Sequence, residues 1–308
     1  MHTSLTRRQA LQAVSVLCAL PGLPAAAAPK GTMLTRTIPG SGEALAAVGL
    51  GTWQTFDAGG GEEERRPLRE VLRLFFQLGG RLIDSSPMYG RAESVVGELL
   101  SSLKPAPAPP PFLATKVWTQ GREEGIRQME ASIRKMGAPP KLDLMQVHNL
   151  VDWKVHLETL AGWKKAGRVR YVGVTHYSLG AFEQLEQLIR SKKVDFVQLP
   201  YSVAVRSAEE RLLPAAAEHG VAVIVMRPFE GGTLFQKLRG TPLPPWAADL
   251  DCASWAQLFL KFILGHPAVT CVIPATSKPH HLQDNMGAAT GRLPTEAQRR
   301  QIAGLVAR

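Results

Sequence analysis

The chain has 308 residues, with 36 Lys plus Arg against 26 Asp plus Glu, a formal net charge of +10, 45% hydrophobic residues and three cysteines. That length can bury a sizeable core in one large domain, and so few cysteines exclude a disulfide-stapled scaffold. The basic residues are scattered among acids, with no aromatic-basic stripe or helix-turn-helix pattern, so nucleic-acid binding is not expected; the charge reads as solubility with some attraction for phosphate.

Residues 1–28 have a basic start, a short apolar run and an Ala-rich end, the pattern of a cleaved export signal rather than a membrane span. The string TRRQALQ from Thr6 to Gln12 resembles a twin-arginine signal, with Ala10 where an aromatic is usual and Leu11 in place. Export of the folded chain to the periplasm is the expectation, with cleavage within Ala25 to Ala28 and no stable membrane insertion afterwards. Cys18 falls inside the signal, which leaves Cys252 and Cys271.

From residue 33 to residue 308 a single domain is expected, in which apolar runs of strand length alternate with amphipathic runs of helix length. The predicted strands are Val48 to Trp53, Arg81 to Asp84, Phe112 to Val117, Leu142 to His148, Val169 to Thr175, Asp195 to Pro200, Val221 to Met226 and Val269 to Pro274. Helical runs such as PLREVLRLFFQLGG and SWAQLFLKFILGH separate them, several closed by glycine. Eight strand-helix repeats predict an α/β fold of the (β/α)8 barrel type, in which TRTIPGSGEALAAV forms a short N-terminal hairpin and PTEAQRRQIAGLVA an extra C-terminal helix. A doubly wound sheet is the rival, but GLGTW lacks the third glycine of its nucleotide fingerprint.

Barrel chemistry gathers where strands end. Asp84 ends the second strand, Lys116 lies at the end of the third and His148 ends the fourth, at equal spacings of 32 residues. Equal phase in consecutive repeats aims them into one mouth, and the turn SSPM brings Tyr89 over it. An ammonium beside a tyrosine favours its phenolate and is expected to lower its pKa, Asp84 compensates the buried lysine, and His148 can donate to a carbonyl oxygen. The set suits protonation of an oxygen as charge develops on it. A Schiff-base lyase through Lys116 is the competing chemistry, opposed by partners that keep the lysine charged. No metal is expected, because the histidines lack ligand spacing.

The runs IDSSPMYGRAE, ATKVW, DLMQVHN and GLGTW closely resemble those of the aldo-keto reductases, over essentially the whole chain from about Thr35. The resemblance implies a (β/α)8 barrel with Asp84, Tyr89, Lys116 and His148 as the catalytic tetrad. It also implies NADPH-dependent reduction of aldehydes or ketones, Tyr89 being the general acid, with NADH as the alternative cofactor. A non-catalytic barrel that binds the nucleotide is the alternative within the same family.

Cofactor positions follow from the same resemblance. Thr52, Trp53 and Asp84 are implied to be cofactor-binding positions. Thr175 and His176 replace the usual Ser-Asn, and Gln198 joins them at the carboxamide. Met226 stands where a stacking tyrosine is common, followed by Arg227, Pro228 and Gly231 for the pyrophosphate. Thr276, Ser277, Lys278, His281, Asp284 and Asn285 take the adenosine end, His281 replacing a frequent arginine. Trp53, Tyr89, Trp118, His148 and Trp153 are expected to line the pocket of a small carbonyl substrate. The chain ends just past the extra helix, which implies an open pocket, and a monomer is expected.

Overall fold

The computed structural model describes residues 31–137 and 141–306; the expected export signal lies outside them. An antiparallel hairpin, β1 (Thr35–Thr37) with β2 (Ala44–Ala46), precedes eight parallel strands: β3 (Leu50–Gly51), β4 (Leu82–Asp84), β5 (Phe112–Val117), β6 (Leu142–His148), β7 (Val169–Thr175), β8 (Phe196–Pro200), β9 (Ala222–Met226) and β10 (Val269–Val272). These pair in chain order, and bridges from Val48 to Val272 and from Gly51 to Ala275 join the last to the first. The result is the expected α/β barrel.

Outside it run α1 (Glu62–Gln77), α2 (Ala92–Ser102), α3 (Arg122–Lys135), α4 (Trp153–Lys165), α5 (Phe182–Arg190), α6 (Leu212–His219), α7 (Thr233–Lys237), α8 (Trp255–Leu264), α9 (Pro279–Gly287) and α10 (Glu296–Gly304). Helix α1 begins upstream of the Pro67 expected to start it, because Glu62, Glu63 and Glu64 supply an acidic first turn. Helix α10 opens with a capping box of Thr295 and Gln298. Among the described residues no helix is long and apolar enough to cross a membrane.

Two-residue periodicity divides the strand side chains between two apolar clusters. Leu113, Val117, Met145, Val147, Val172 and Val174 face the helices. Leu82, Phe112, Ala114, Leu144, Tyr171 and Phe196 fill the barrel, joined from the hairpin by Ile38 and Leu45. Complete burial of Phe112 or Phe196 stabilises the fold by roughly 1.5–3 kcal/mol each. The hairpin closes the N-terminal end, where the Tyr171 hydroxyl donates to Ser41 Oγ at 2.7 Å and Arg170 pairs with Glu43.

The end strands are shorter than predicted. β3 keeps only Leu50–Gly51, and the adjoining backbone turns to β10, Gly49 N–H donating to Val272 O at 2.8 Å and Gly51 N–H to Pro274 O at 3.2 Å. Pro274 has no N–H to return, so β10 stops at Val272. A side chain at Gly51 would meet Ile273 O at 2.8 Å, so only glycine allows this closure.

Candidate active site

The inward parity that fills the barrel floor with Phe112, Leu144 and Phe196 puts Lys116, Gln146, His148 and Gln198 on the same inner wall, nearer its C-terminal end. Register sets their depth: Asp84 lies beside Ala114, two residues below Lys116, and Lys116 beside Gln146, two below His148. The shear of a barrel therefore stacks the anchor, the ammonium and the imidazole in successive layers.

Both oxygens of the buried Asp84 are engaged. Oδ2 accepts from Lys116 Nζ at 2.6 Å, and Oδ1 accepts from the amides of Gln146 at 3.0 Å and Gln198 at 2.9 Å. Lys116, fully buried, also donates to Ser85 O at 2.8 Å and lies 4.9 Å from the centroid of the Tyr89 ring. Burial alone would push the ammonium pKa down, but Asp84 and then Tyr89 outweigh it and the net direction is up, so Lys116 is charged.

Tyr89 reaches this layer because the turn after β4 reverses the chain, its N–H donating to Ser86 O at 3.0 Å. Gly90 follows with φ 60°, and a side chain there would run into the Asp57 carboxylate that receives Arg91 N–H. The rings of Tyr89 and His148 meet edge to face at 5.9 Å. The expected lowering of the Tyr89 pKa is not the net result. Burial raises it, the Lys116 charge pulls it back only in part, Asp84 adds to the rise, and the phenol stays protonated. Burial, with the like charges of Lys116 and His176, holds His148 down at about 2, a neutral imidazole.

The structure gathers Asp84, Tyr89, Lys116 and His148 into one mouth, with Thr52 donating to Asp84 O at 2.9 Å. Thr175 ends β7 and its hydroxyl donates to Gln198 Oε1 at 3.3 Å, so both polar ends of Gln198 are held within the protein. His176 accepts Ser178 N–H, and burial lowers its pKa. Trp53 and Trp118 stand exposed on loops at the mouth, joined by Met88 and Tyr177. Trp153 instead starts α4, packed on the outer cluster with Lys154 over its ring.

For the cofactor positions, Met226 ends β9, Arg227 pairs loosely with Glu230 at 4.0 Å, and Pro228 leads into a turn where Gly231 has φ 65°. Ser277 and Lys278 meet Arg91, Asp57 and Glu64 around a cavity of about 480 Å³ at the start of α9. Arg91, Lys278 and the N-terminus of α9 could meet a phosphate here, but Asp57, 3.5 Å from Arg91, and Glu64 line the same cavity and offset the two cations. Thr276 accepts Lys278 N–H at 3.0 Å and shapes that turn. His281 is exposed on α9 and its pKa is lowered, by burial first and then by His280 and Lys278. Asp284 is occupied by Ser254 and Gln257, which tie α9 to α8, and Asn285 is buried. A larger cavity, about 960 Å³, lies on the outer flank between α1 and the Lys104–Ala108 loop, and no tetrad residue lines it.

A family profile described as "Aldo/keto reductase family" matches residues 47–303. The chain belongs to the aldo/keto reductase family. An oxidoreductase of Schizosaccharomyces pombe is 32% identical over 168 residues, 54% of this chain and 52% of its own. An NADH-specific methylglyoxal reductase of Escherichia coli is 25% identical over 224 residues, 62% of this chain and 65% of its own. The chain thus spans less than two thirds of either curated relative. An aldo/keto reductase of Klebsiella pneumoniae, solved with NADP and acetate, superposes with a TM-score of 0.73 at 24% identity, covering 87% of this chain and 94% of that one, a likeness of fold.

Ser86 and Gln146 join this cluster through His148 and Asp84, and motif reading missed both. Gln146 had a signal: it is polar, in a buried strand, two residues before His148 and hence on the same face.

Proposed function

We propose that this chain reduces aldehydes or ketones to alcohols with NADPH, Tyr89 giving the proton. The observation that carries the reading is the buried Asp84–Lys116 pair, with Lys116 4.9 Å from the Tyr89 ring centroid and that ring edge to face with His148. His148 orients the carbonyl oxygen by a hydrogen bond, and Tyr89 protonates it as charge develops. Lys116, held charged by Asp84, stabilises the phenolate that remains. The nicotinamide supplies the hydride when bound. In this reading Thr175 and Gln198 meet the carboxamide, Gln198 exchanging an internal hydrogen bond to do so, and Arg227, Ser277, Lys278 and Arg91 meet the phosphates.

The NADP bound to the Klebsiella protein supports NADPH, and the NADH-specific relative keeps NADH as a second cofactor. Exposed Trp53 and Trp118 favour apolar or aromatic carbonyl compounds. The twin-arginine string supports periplasmic export, which fractionation of a tagged full-length chain with and without Arg7→Lys and Arg8→Lys tests.

The activity is tested by aldehyde-dependent NADPH oxidation by the purified chain. Tyr89→Phe is expected to lower kcat roughly 100-fold or more; equal rates would refute Tyr89 as the acid. Tight NADPH binding without turnover of any aldehyde or ketone would favour a nucleotide-binding barrel instead.

A further inference from the structure

The first serine of the turn between β4 and Tyr89 helps hold Lys116, whereas the second faces the imidazole. Ser86 Oγ lies 3.0 Å from His148 Nδ1, both residues being buried, and it accepts Met88 N–H at 3.4 Å. A neutral imidazole carries one proton, and which nitrogen holds it depends on the partner of the other.

Hydrogen accounting decides between the two arrangements. If Nδ1 held the proton, it would donate to Ser86 Oγ, which already accepts from Met88, and the serine's own proton would be buried without an acceptor. Such an orphaned buried donor costs roughly 1–3 kcal/mol. If Ser86 donates to Nδ1, the hydroxyl has one acceptor and one donor partner, and the proton rests on Nε2. With Nδ1 taken, Nε2 is the nitrogen available to a substrate.

We propose that Ser86 is a positioning residue that fixes His148 as the Nε2–H tautomer, so that the imidazole offers the mouth a donor instead of a lone pair. The role rests on the reading of His148 as donor to the carbonyl oxygen. A lone pair there would repel that oxygen, which is why a hydroxyl one layer behind the tetrad bears on turnover.

The test is nitrogen NMR of the full chain labelled with ¹⁵N-histidine, the His148 signals assigned by their loss in His148→Gln. The expected spectrum has Nε2 protonated and Nδ1 unprotonated; a protonated Nδ1 overturns the proposal. Ser86→Ala should shift the signals toward a tautomer mixture and lower kcat/KM for an aldehyde roughly tenfold, a typical loss when an imidazole is deprived of its orienting partner. The NADPH dissociation constant should be unchanged, and Ser86→Thr, which keeps the hydroxyl, should restore the wild-type spectrum. An unchanged tautomer in Ser86→Ala overturns the proposal. A shifted tautomer with unchanged turnover leaves the assignment standing and instead refutes His148 as the carbonyl donor.

Discussion

The ammonium of Lys116 stands 4.9 Å from the centroid of the Tyr89 ring, in a site where the lysine itself is fully buried. Such a charge persists because Asp84 neutralises it, and removing one partner of a buried pair strands the other. Lys116→Met is therefore expected to cost roughly 3–5 kcal/mol of stability along with most of the turnover. Combining it with Asp84→Asn should recover much of the melting temperature, because two neutral groups no longer need each other, without recovering turnover. Thermal melts and aldehyde reduction measured on the single and double variants check this; turnover regained by the double variant would refute the lysine's chemical role.

The pKa directions set an unusual pH profile. His148, at about 2, does not titrate near neutrality, and Tyr89, raised above its ordinary 10, keeps its proton. The kcat/KM for reduction should thus be flat from about pH 5 to 9, with no limb near the ordinary histidine value. Stability follows the opposite rule. Below the unfolded histidine value of about 6.5 the unfolded chain takes up a proton that folded His148 refuses, so stability falls by up to about 1.4 kcal/mol per pH unit from there toward pH 2. In His148→Gln that acid sensitivity should shrink, as acid melts would show.

Three strands, Phe112–Val117, Leu142–His148 and Val169–Thr175, were legible to the residue, because each is a buried run bounded by turns. Asp84, Lys116 and His148 were legible because they share a phase, and Tyr89 because its turn and the motif IDSSPMYGRAE resemble those of the family. What escaped depends on three-dimensional proximity: Gln146 reaches Asp84 and Ser86 reaches His148 across 62 residues each. The net direction for Tyr89 escaped too, since Lys116 shows in the sequence and the degree of burial does not.

At the adenosine end, a neutral His281 contributes no charge to a ribose phosphate. His281→Arg should add a permanent fork donor and favour NADPH over NADH by roughly tenfold more than the wild type. Fluorescence titrations with both nucleotides measure the ratio; a ratio unmoved by the substitution would place the phosphate elsewhere.

Outside the tetrad, Arg299 of α10 donates to Phe262 O at 3.2 Å and to Glu296 at 2.7 Å, and also reaches Tyr201 and Glu209. It is 5% exposed. Arg299→Met should lower stability by about 3 kcal/mol, since Glu209 loses its cation, and leave the NADPH dissociation constant unchanged. Denaturant unfolding and the nucleotide titration together check it.

The saturated carboxylate of Asp84 has a mechanical meaning as well. Its two oxygens tie β4 to β5, β6 and β8 through side chains, around half of the ring of strands. Those ties act as a hoop just below the rim, adding lateral tension that main-chain ladders alone do not provide. The same few bonds that keep the lysine charged thereby also brace one side of the barrel. A change at Asp84 made to silence the reaction also alters these cross-strand ties, so inactivity in such a variant is interpretable only beside a measure of its stability.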